Sequence, residues 1–266
     1  MKLNVGRALG EVSEALRRSS GLYLTVALAF NVIPSLLNSL SMPVPQAPGQ
    51  ASALPMLLLT LVVILAIAGW IAIQRLALLG ERVGEAVSRA PLPTARMFGL
   101  LLLLAIPASF VIAPFISAYT SGTPEMQAGA SSAILMMLIV LLFPLSRLIL
   151  TLPIIATESG GVFSSIRRSW LLTRGNTWKL YGIVLLALLL VGLVTFAAQA
   201  ALGSVLLLLL GQPEPWSVSA LLISLLVQLA QLTVTLPLTI LIARLYAQAV
   251  GAEPTVGVPH AGHGEG

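Results

Sequence analysis

Apolar residues in this chain come in long runs, not in the short alternations of a half-buried sheet. Six runs stand out. They extend from about Gly21 to Leu40, Leu54 to Ile73, Phe98 to Tyr119, Ser132 to Ile155, Tyr181 to Leu210 and Val218 to Ile242. Each reaches or passes the roughly 20 residues that a helix needs to cross a hydrocarbon core about 30 Å thick. The longer runs predict tilt, or helices that continue past the core.

The polar residues between the runs alternate sharply in charge. Lys2, Arg7, Arg17 and Arg18 precede the first run. Arg75, Arg82, Arg89 and Arg96 separate the second from the third, and Arg167, Arg168, Arg174 and Lys179 separate the fourth from the fifth. The intervening connections, rich in Pro and Gly, carry only Glu125 and Glu214. Arg147 and Arg244 fall toward the basic ends of the fourth and sixth runs. Cations on one side only predict that both termini are cytoplasmic. The first run follows a long segment containing Glu11 and Glu14 and has no clean small-x-small site after it, so it reads as a retained span and not a cleaved signal.

The basic segments also show helical periodicity. VSEALRRSS from Val12, VGEAVSRAP from Val83 and VFSSIRRSW from Val162 align, pairing Arg18, Arg89 and Arg168. In the first, Val5, Leu9, Val12 and Leu16 make one apolar stripe, opposed by Arg7, Glu11, Glu14 and Arg18. In the second, Leu76, Leu79, Val83 and Val87 make the stripe, opposed by Arg82, Glu85 and Arg89. In the third, Val162, Phe163, Ile166 and Trp170 gather on one side and Arg168 opposes them. This is the amphipathic signature of an α-helix. The reading is an all-α, polytopic membrane bundle of about six transmembrane helices with three cytoplasmic in-plane amphipathic helices, built as a threefold internal repeat. The expected units are residues 1–74, 75–157 and 158–250 of a single membrane domain, followed by a disordered tail over 251–266.

Composition agrees. Of 266 residues, 58% are hydrophobic and 9% are charged, against about 25% charged in an ordinary soluble domain. The formal net charge of +5 is accounted for by topology and anionic headgroups, so no nucleic acid is implied. There is no Cys and no Asp, and both His, His260 and His263, lie in the tail. No thiolate chemistry and no metal cage are expected. Ser164, Ser165 and Ser169 have no His or buried Lys beside them to act as a base. Pro34, Pro107, Pro114, Pro144, Pro153 and Pro237 lie in spans, where each removes a backbone hydrogen bond and can kink the helix.

The stretch TLPIIATESGGVFSSIRRSWLLTRGNTWKLYGI is the most distinctive. Pro153, Glu158, the Arg167 to Trp170 core, Leu172, Thr173, Arg174, Gly175 and Trp178 resemble the signature region of the glycerophosphoryl diester phosphodiesterase membrane-domain family. The resemblance implies a multi-pass protein of the bacterial cytoplasmic (inner) membrane. It implies no activity, because that family's membrane region is distinct from the catalytic domain to which it is sometimes fused. Such catalytic domains resemble one another in being TIM barrels, which need about 250 residues. Six spans leave no room for one, so the chain is expected not to be an enzyme and to need no cofactor.

Two function classes remain. One is a non-catalytic module that organises phospholipids, preferentially anionic, or a protein partner at the cytoplasmic face. Arg167, Arg168, Trp170, Arg174, Trp178 and Lys179 are its candidate lipid-binding residues. The other is a transporter or permease-like component for a lipid or small solute. Arg147 is the intramembrane polar candidate for that class. Gln199, Gln228 and Gln231 are further polar groups within spans, the last two sharing a helix face. A polar cavity near the bilayer midplane containing Arg147 would favour transport, and a dry Leu-filled bundle would favour the module.

Overall fold

The computed structural model describes residues 3–41, 53–121, 123–205, 208 and 217–251. The expected disordered tail, except Gly251, and most of two loops on the uncharged side lie outside the described residues. Among the described residues every regular element is a helix.

Helix α1 (Val5–Ala27) starts where the Asn4 side chain accepts the Arg7 N–H at 3.0 Å, an N-cap that satisfies one orphan donor. It bends at Ser19 (φ −137°, ψ 26°), so the basic N-terminal half and the apolar half take different directions. A π-helical turn (Leu28–Val32) leads into α2 (Ile33–Ser41), and the Ile33 N–H reaches back to the Leu28 carbonyl. Pro34 follows at once. It has no N–H and its ring crowds the carbonyl four residues back, a recognised cause of a shifted ladder.

The remaining helices are α3 (Ala53–Leu79), α4 (Val83–Ser88), α5 (Pro91–Ser121), α6 (Pro124–Leu148), α7 (Thr151–Thr157), α8 (Val162–Leu172), α9 (Thr177–Ala197) and α10 (Val218–Val250). A second π-helical turn (Ala198–Gly203) follows α9. Six segments are long and apolar enough to cross a membrane: Val5–Asn38, Met56–Leu79, Pro91–Thr120, Glu125–Thr157, Thr177–Ala201 and Val218–Val250. The protein is a multi-pass membrane protein.

The spans neighbour one another in chain order around a closed ring, α1 against α3, α3 against α5, α5 against α6, α6 against α9, α9 against α10 and α10 against α1. Helix α3 also packs on α10 across the ring. Burial is uneven. In the most apolar window of the α1, α3 and α10 spans 28% of residues are buried, against 6% in α5. The core therefore sits among α1, α3 and α10, with Tyr23, Val26, Ile73, Leu76, Ile240 and Leu245 at its centre and Leu150 and Ile154 packed on it. Ile106, Phe110, Met136, Leu189 and Phe196 of α5, α6 and α9 point outward. In a bilayer that surface meets acyl chains, where helices satisfy their own backbone groups.

Two of the three apolar stripes read from the sequence need correction. Leu9 is exposed, and Ala8 and Val12 carry the buried face of early α1. Leu76 and Leu79 do not share a helix with Val83 and Val87, because Gly80 (φ 64°) ends α3 in the left-handed region and α4 starts afresh. On α8 the protein-facing residues are Ser165 and Ser169, while Phe163 and Trp170 are exposed. The small serines allow close packing against α6, and the Ser169 hydroxyl donates to the Arg147 carbonyl at 2.6 Å.

Candidate functional site

One end of the bundle gathers the basic groups. The Leu3 N–H donates to Asn176 Oδ1 at 3.3 Å, the Asn4 N–H to Gln248 Oε1 at 3.1 Å, and Lys179 Nζ to the Leu3 carbonyl at 3.2 Å. These bonds tie the start of α1 to the start of α9 and the end of α10.

Arg147 stands in the last turn of α6, just before the break at Ile149 and Leu150. It is therefore a cation at the end of α6, where the helix dipole favours positive charge, within the membrane-capable segment Glu125–Thr157. Its guanidinium carbon lies 4.4 Å from the Trp170 ring centroid and 5.8 Å from that of Phe143, within cation–π range. Phe143, Trp178 and Tyr181 continue the cluster, with Phe143 and Trp178 centroids 5.6 Å apart and Trp178 and Tyr181 5.9 Å apart. Arg147 Nε is buried without a hydrogen-bond partner among the described residues. Trp170 and Trp178 are largely exposed. The result is a cation backed by an aromatic wall that is open on its outer side.

The other nominated cations divide. Arg167 and Arg174 are exposed and their side chains make no ion pair or hydrogen bond among the described residues. Arg168 Nε binds Glu158 Oε1 at 2.9 Å. The same oxygen accepts from the Tyr246 hydroxyl at 2.6 Å, and the Glu158 carbonyl accepts from Arg96 at 3.4 Å. Glu158 thus joins α8, α10 and α5. Arg168 and Lys179 are engaged by the chain itself. The structure brings Trp170, Trp178 and Arg147 together, with Arg167 on the same helix as Trp170 and Arg174 just beyond its end.

A second polar latch lies between α3 and α4. Glu81 takes two hydrogen bonds from Arg75, at 2.8 and 2.6 Å, and one from Arg89 at 2.9 Å. Arg75 also donates to the Ala156 carbonyl at 2.6 Å, which reaches α7. Burial pushes the Glu81 carboxyl up. The hydrogen bonds and charge of Arg75, and then those of Arg89, outweigh it and hold the group below its ordinary value of 4.5.

The model of a family described as the membrane domain of glycerophosphoryl diester phosphodiesterase matches residues 108–257, more than half of the chain. The chain belongs to this family. No curated protein and no solved structure matches it. The stretch shared with the membrane-domain family runs from within α5 through α10. It contains the whole Arg147 cluster and Glu158 with Arg168 and Tyr246, whereas Arg96 and the Arg75–Glu81 latch precede it.

The membrane-domain bundle also holds a cavity of about 190 Å³ between the first span, α3 and α10. Gln228 and Gln231 line it, and Arg147 does not. Sequence reasoning had singled out these two glutamines but missed their facing partners, Asn31, Ser35 and Trp70. The available signal was spacing: Ala27, Asn31 and Ser35 recur every four residues, as do Gln231, Thr235 and Thr239. Phe143 and Tyr181 were missed too, although they sit one turn from Arg147 and Trp178, the spacing at which helical side chains meet.

Proposed function

We propose that this chain is a non-catalytic integral membrane protein of the bacterial inner membrane that organises anionic phospholipid, or a partner protein, at the cytoplasmic face. The observation that carries the reading is Arg147 stacked on Trp170 beside Phe143 and Trp178, with Arg167 and Arg174 unengaged nearby. An Arg guanidinium presents a rigid fork that matches a phosphate. Indole rings favour the headgroup level, and each cation near an anionic leaflet is worth about 1 kcal/mol. The one-sided distribution of cations supports cytoplasmic termini. In this reading the start of α1, α4 and α8 are the three repeated amphipathic helices, lying along that face.

The test is lipid retention. The full chain and a variant carrying Arg147→Gln, Arg167→Gln and Arg174→Gln are purified in parallel and their bound lipids quantified by mass spectrometry. The triple variant should lose most of its anionic lipid and keep its zwitterionic lipid. Equal anionic lipid in the two preparations removes the reading. A companion Arg168→Gln variant separates headgroup binding from the Glu158 node, since it should lower thermal stability more than lipid retention.

A transporter or permease-like component for a lipid or small solute is the second reading. The cavity between spans favours it, as do the two π-helical turns, because such turns recur at functional sites. Flux of a candidate solute into vesicles containing the purified chain separates the two readings.

A further inference from the structure

The cavity between the first span, α3 and α10 lies midway along α10, and most of its polar wall residues are half-buried. Thr235 on its wall is 17 residues from one end of α10 and 15 from the other, about 23–26 Å at 1.5 Å per residue. At that depth a bilayer offers no water to a stray polar group. Yet the wall carries Asn31, Ser35, Trp70, Gln228, Gln231 and Thr235, and no charged residue.

Helix bridging explains only part of this set. Gln231 Nε2 donates to the Thr195 hydroxyl at 3.0 Å, which links α10 to α9. Thr235 donates its hydroxyl to the Gln231 carbonyl at 3.1 Å and keeps its lone pairs. The side-chain amides of Asn31 and Gln228 make no hydrogen bond to the protein among the described residues. Both line the cavity, so their donors and acceptors are free for something inside it.

The shape is specific as well. A Cβ added to Gly69 would stand 2.6 Å from Phe30 Cβ and 2.9 Å from Asn31 Nδ2. The π-helical turn therefore lies against the bare backbone of α3, a contact that any side chain at position 69 would prevent. This close approach holds Asn31 beside Trp70.

We propose that the cavity binds an uncharged, hydroxyl-rich group, either a free small polyol or the hydroxyl-bearing end of a lipid. The wall offers donors and acceptors together, as a hydroxyl needs. It offers no countercharge, and a buried ion without one is strongly disfavoured. At about 30 Å³ per water the volume equals about six waters, enough for a four-carbon polyol or a hydroxymethyl end. The site shares no residue with the Arg147 cluster, so loss of headgroup binding there leaves this inference standing, and the reverse holds.

The test uses the full chain in lipid nanodiscs with two probes, erythritol by saturation-transfer NMR and dioleoylglycerol by native mass spectrometry. Gln228→Leu removes the free amide, Ala66→Leu fills the cavity, and Thr233→Val alters an exposed position of α10. Binding of one probe by the wild type should weaken about fivefold or more in Gln228→Leu, vanish in Ala66→Leu and persist in Thr233→Val. An erythritol signal assigns a free polyol, and a dioleoylglycerol adduct assigns a lipid. If one variant fails to fold, the other carries the test. No binding of either probe, as for a cavity holding only water, overturns the proposal. So does binding that is equal in wild type and variants.

Discussion

Glu81→Gln should destabilise the bundle more than the same change at any other described glutamate. The Glu81 and Arg75 side chains are only 8% and 11% exposed, and Arg75 also holds the end of α7. Removing one partner of a buried ion pair costs about 3–5 kcal/mol. Gln keeps one acceptor oxygen but turns an amide donor toward the guanidinium donors, and the site lies at the bundle's end. Both points lower the figure to about 2–3 kcal/mol. The Arg89 arm adds only tenths of a kcal/mol, because Arg89 is 62% exposed. For a chain of this size the loss corresponds to about 5–10 °C in the midpoint of a thermal melt, followed by circular dichroism in detergent. The acid dependence gives a second readout. The carboxyl titrates below its ordinary 4.5 in the fold, so the unfolded chain binds the proton more tightly. The stability it contributes is present above 4.5 and is lost as pH falls through the lower folded value. The wild type should therefore lose stability on acidification through that window, and Glu81→Gln should lose less. A neutral-pH midpoint within about 1 °C of wild type, or an unchanged acid profile, would refute the reasoning.

Changes at three further positions probe the packing of the spans. Gly69→Ala should cost about 1–3 kcal/mol, because the new methyl meets the rigid Cβ of Phe30. Gly192→Ala, which has nothing within 4 Å, should be neutral or gain up to about 1 kcal/mol from helix propensity, and melts of the two in one detergent make the comparison. Gln74 is fully buried, donates to the Thr239 carbonyl at 2.9 Å and leaves its own Oε1 unpartnered. Gln74→Leu removes the orphan with little change of volume and should cost no more than about 1 kcal/mol, whereas Gln74→Ala should cost about 2–4 kcal/mol by leaving a void. Equal melting of the Leu and Ala variants would refute that account.

What the sequence made legible follows the range of the interaction involved. Span number and placement rest on runs of neighbouring apolar residues, and all six expected spans are present. Departures begin where one residue redirects the chain. Gly80 turns the backbone between α3 and α4, so Glu81 pairs with Arg75 across the break, where a continuous helix would have put Arg82, Glu85 and Arg89 on one face. Pro34 announces a defect in the first span, but only the structure shows it as a π-helical turn seated on Gly69. The turn after α9 has no proline near it, and we have no physical account of it. The threefold likeness of the basic segments says nothing of burial, which is concentrated in α1, α3 and α10.

The candidate lipid site illustrates the same limit. Density of positive charge drew attention to residues 167–179, but density does not distinguish a free cation from one the fold has already engaged. Arg168 is held by Glu158 and Lys179 by the Leu3 carbonyl, and both acceptors belong to other parts of the chain. A cation bound to its own protein has fewer donors left for a phosphate. Arg147 moves the other way. Its position near an apolar run suggested a transport role, yet it ends α6 and is stacked on Trp170. Stacking fixes the guanidinium plane without using its N–H groups, and because Nε is buried the terminal nitrogens are the donors left for a headgroup in the proposed site. On that criterion the proposed lipid site rests on Arg147, Arg167 and Arg174 more than on Arg168 and Lys179, whose donors are partly engaged.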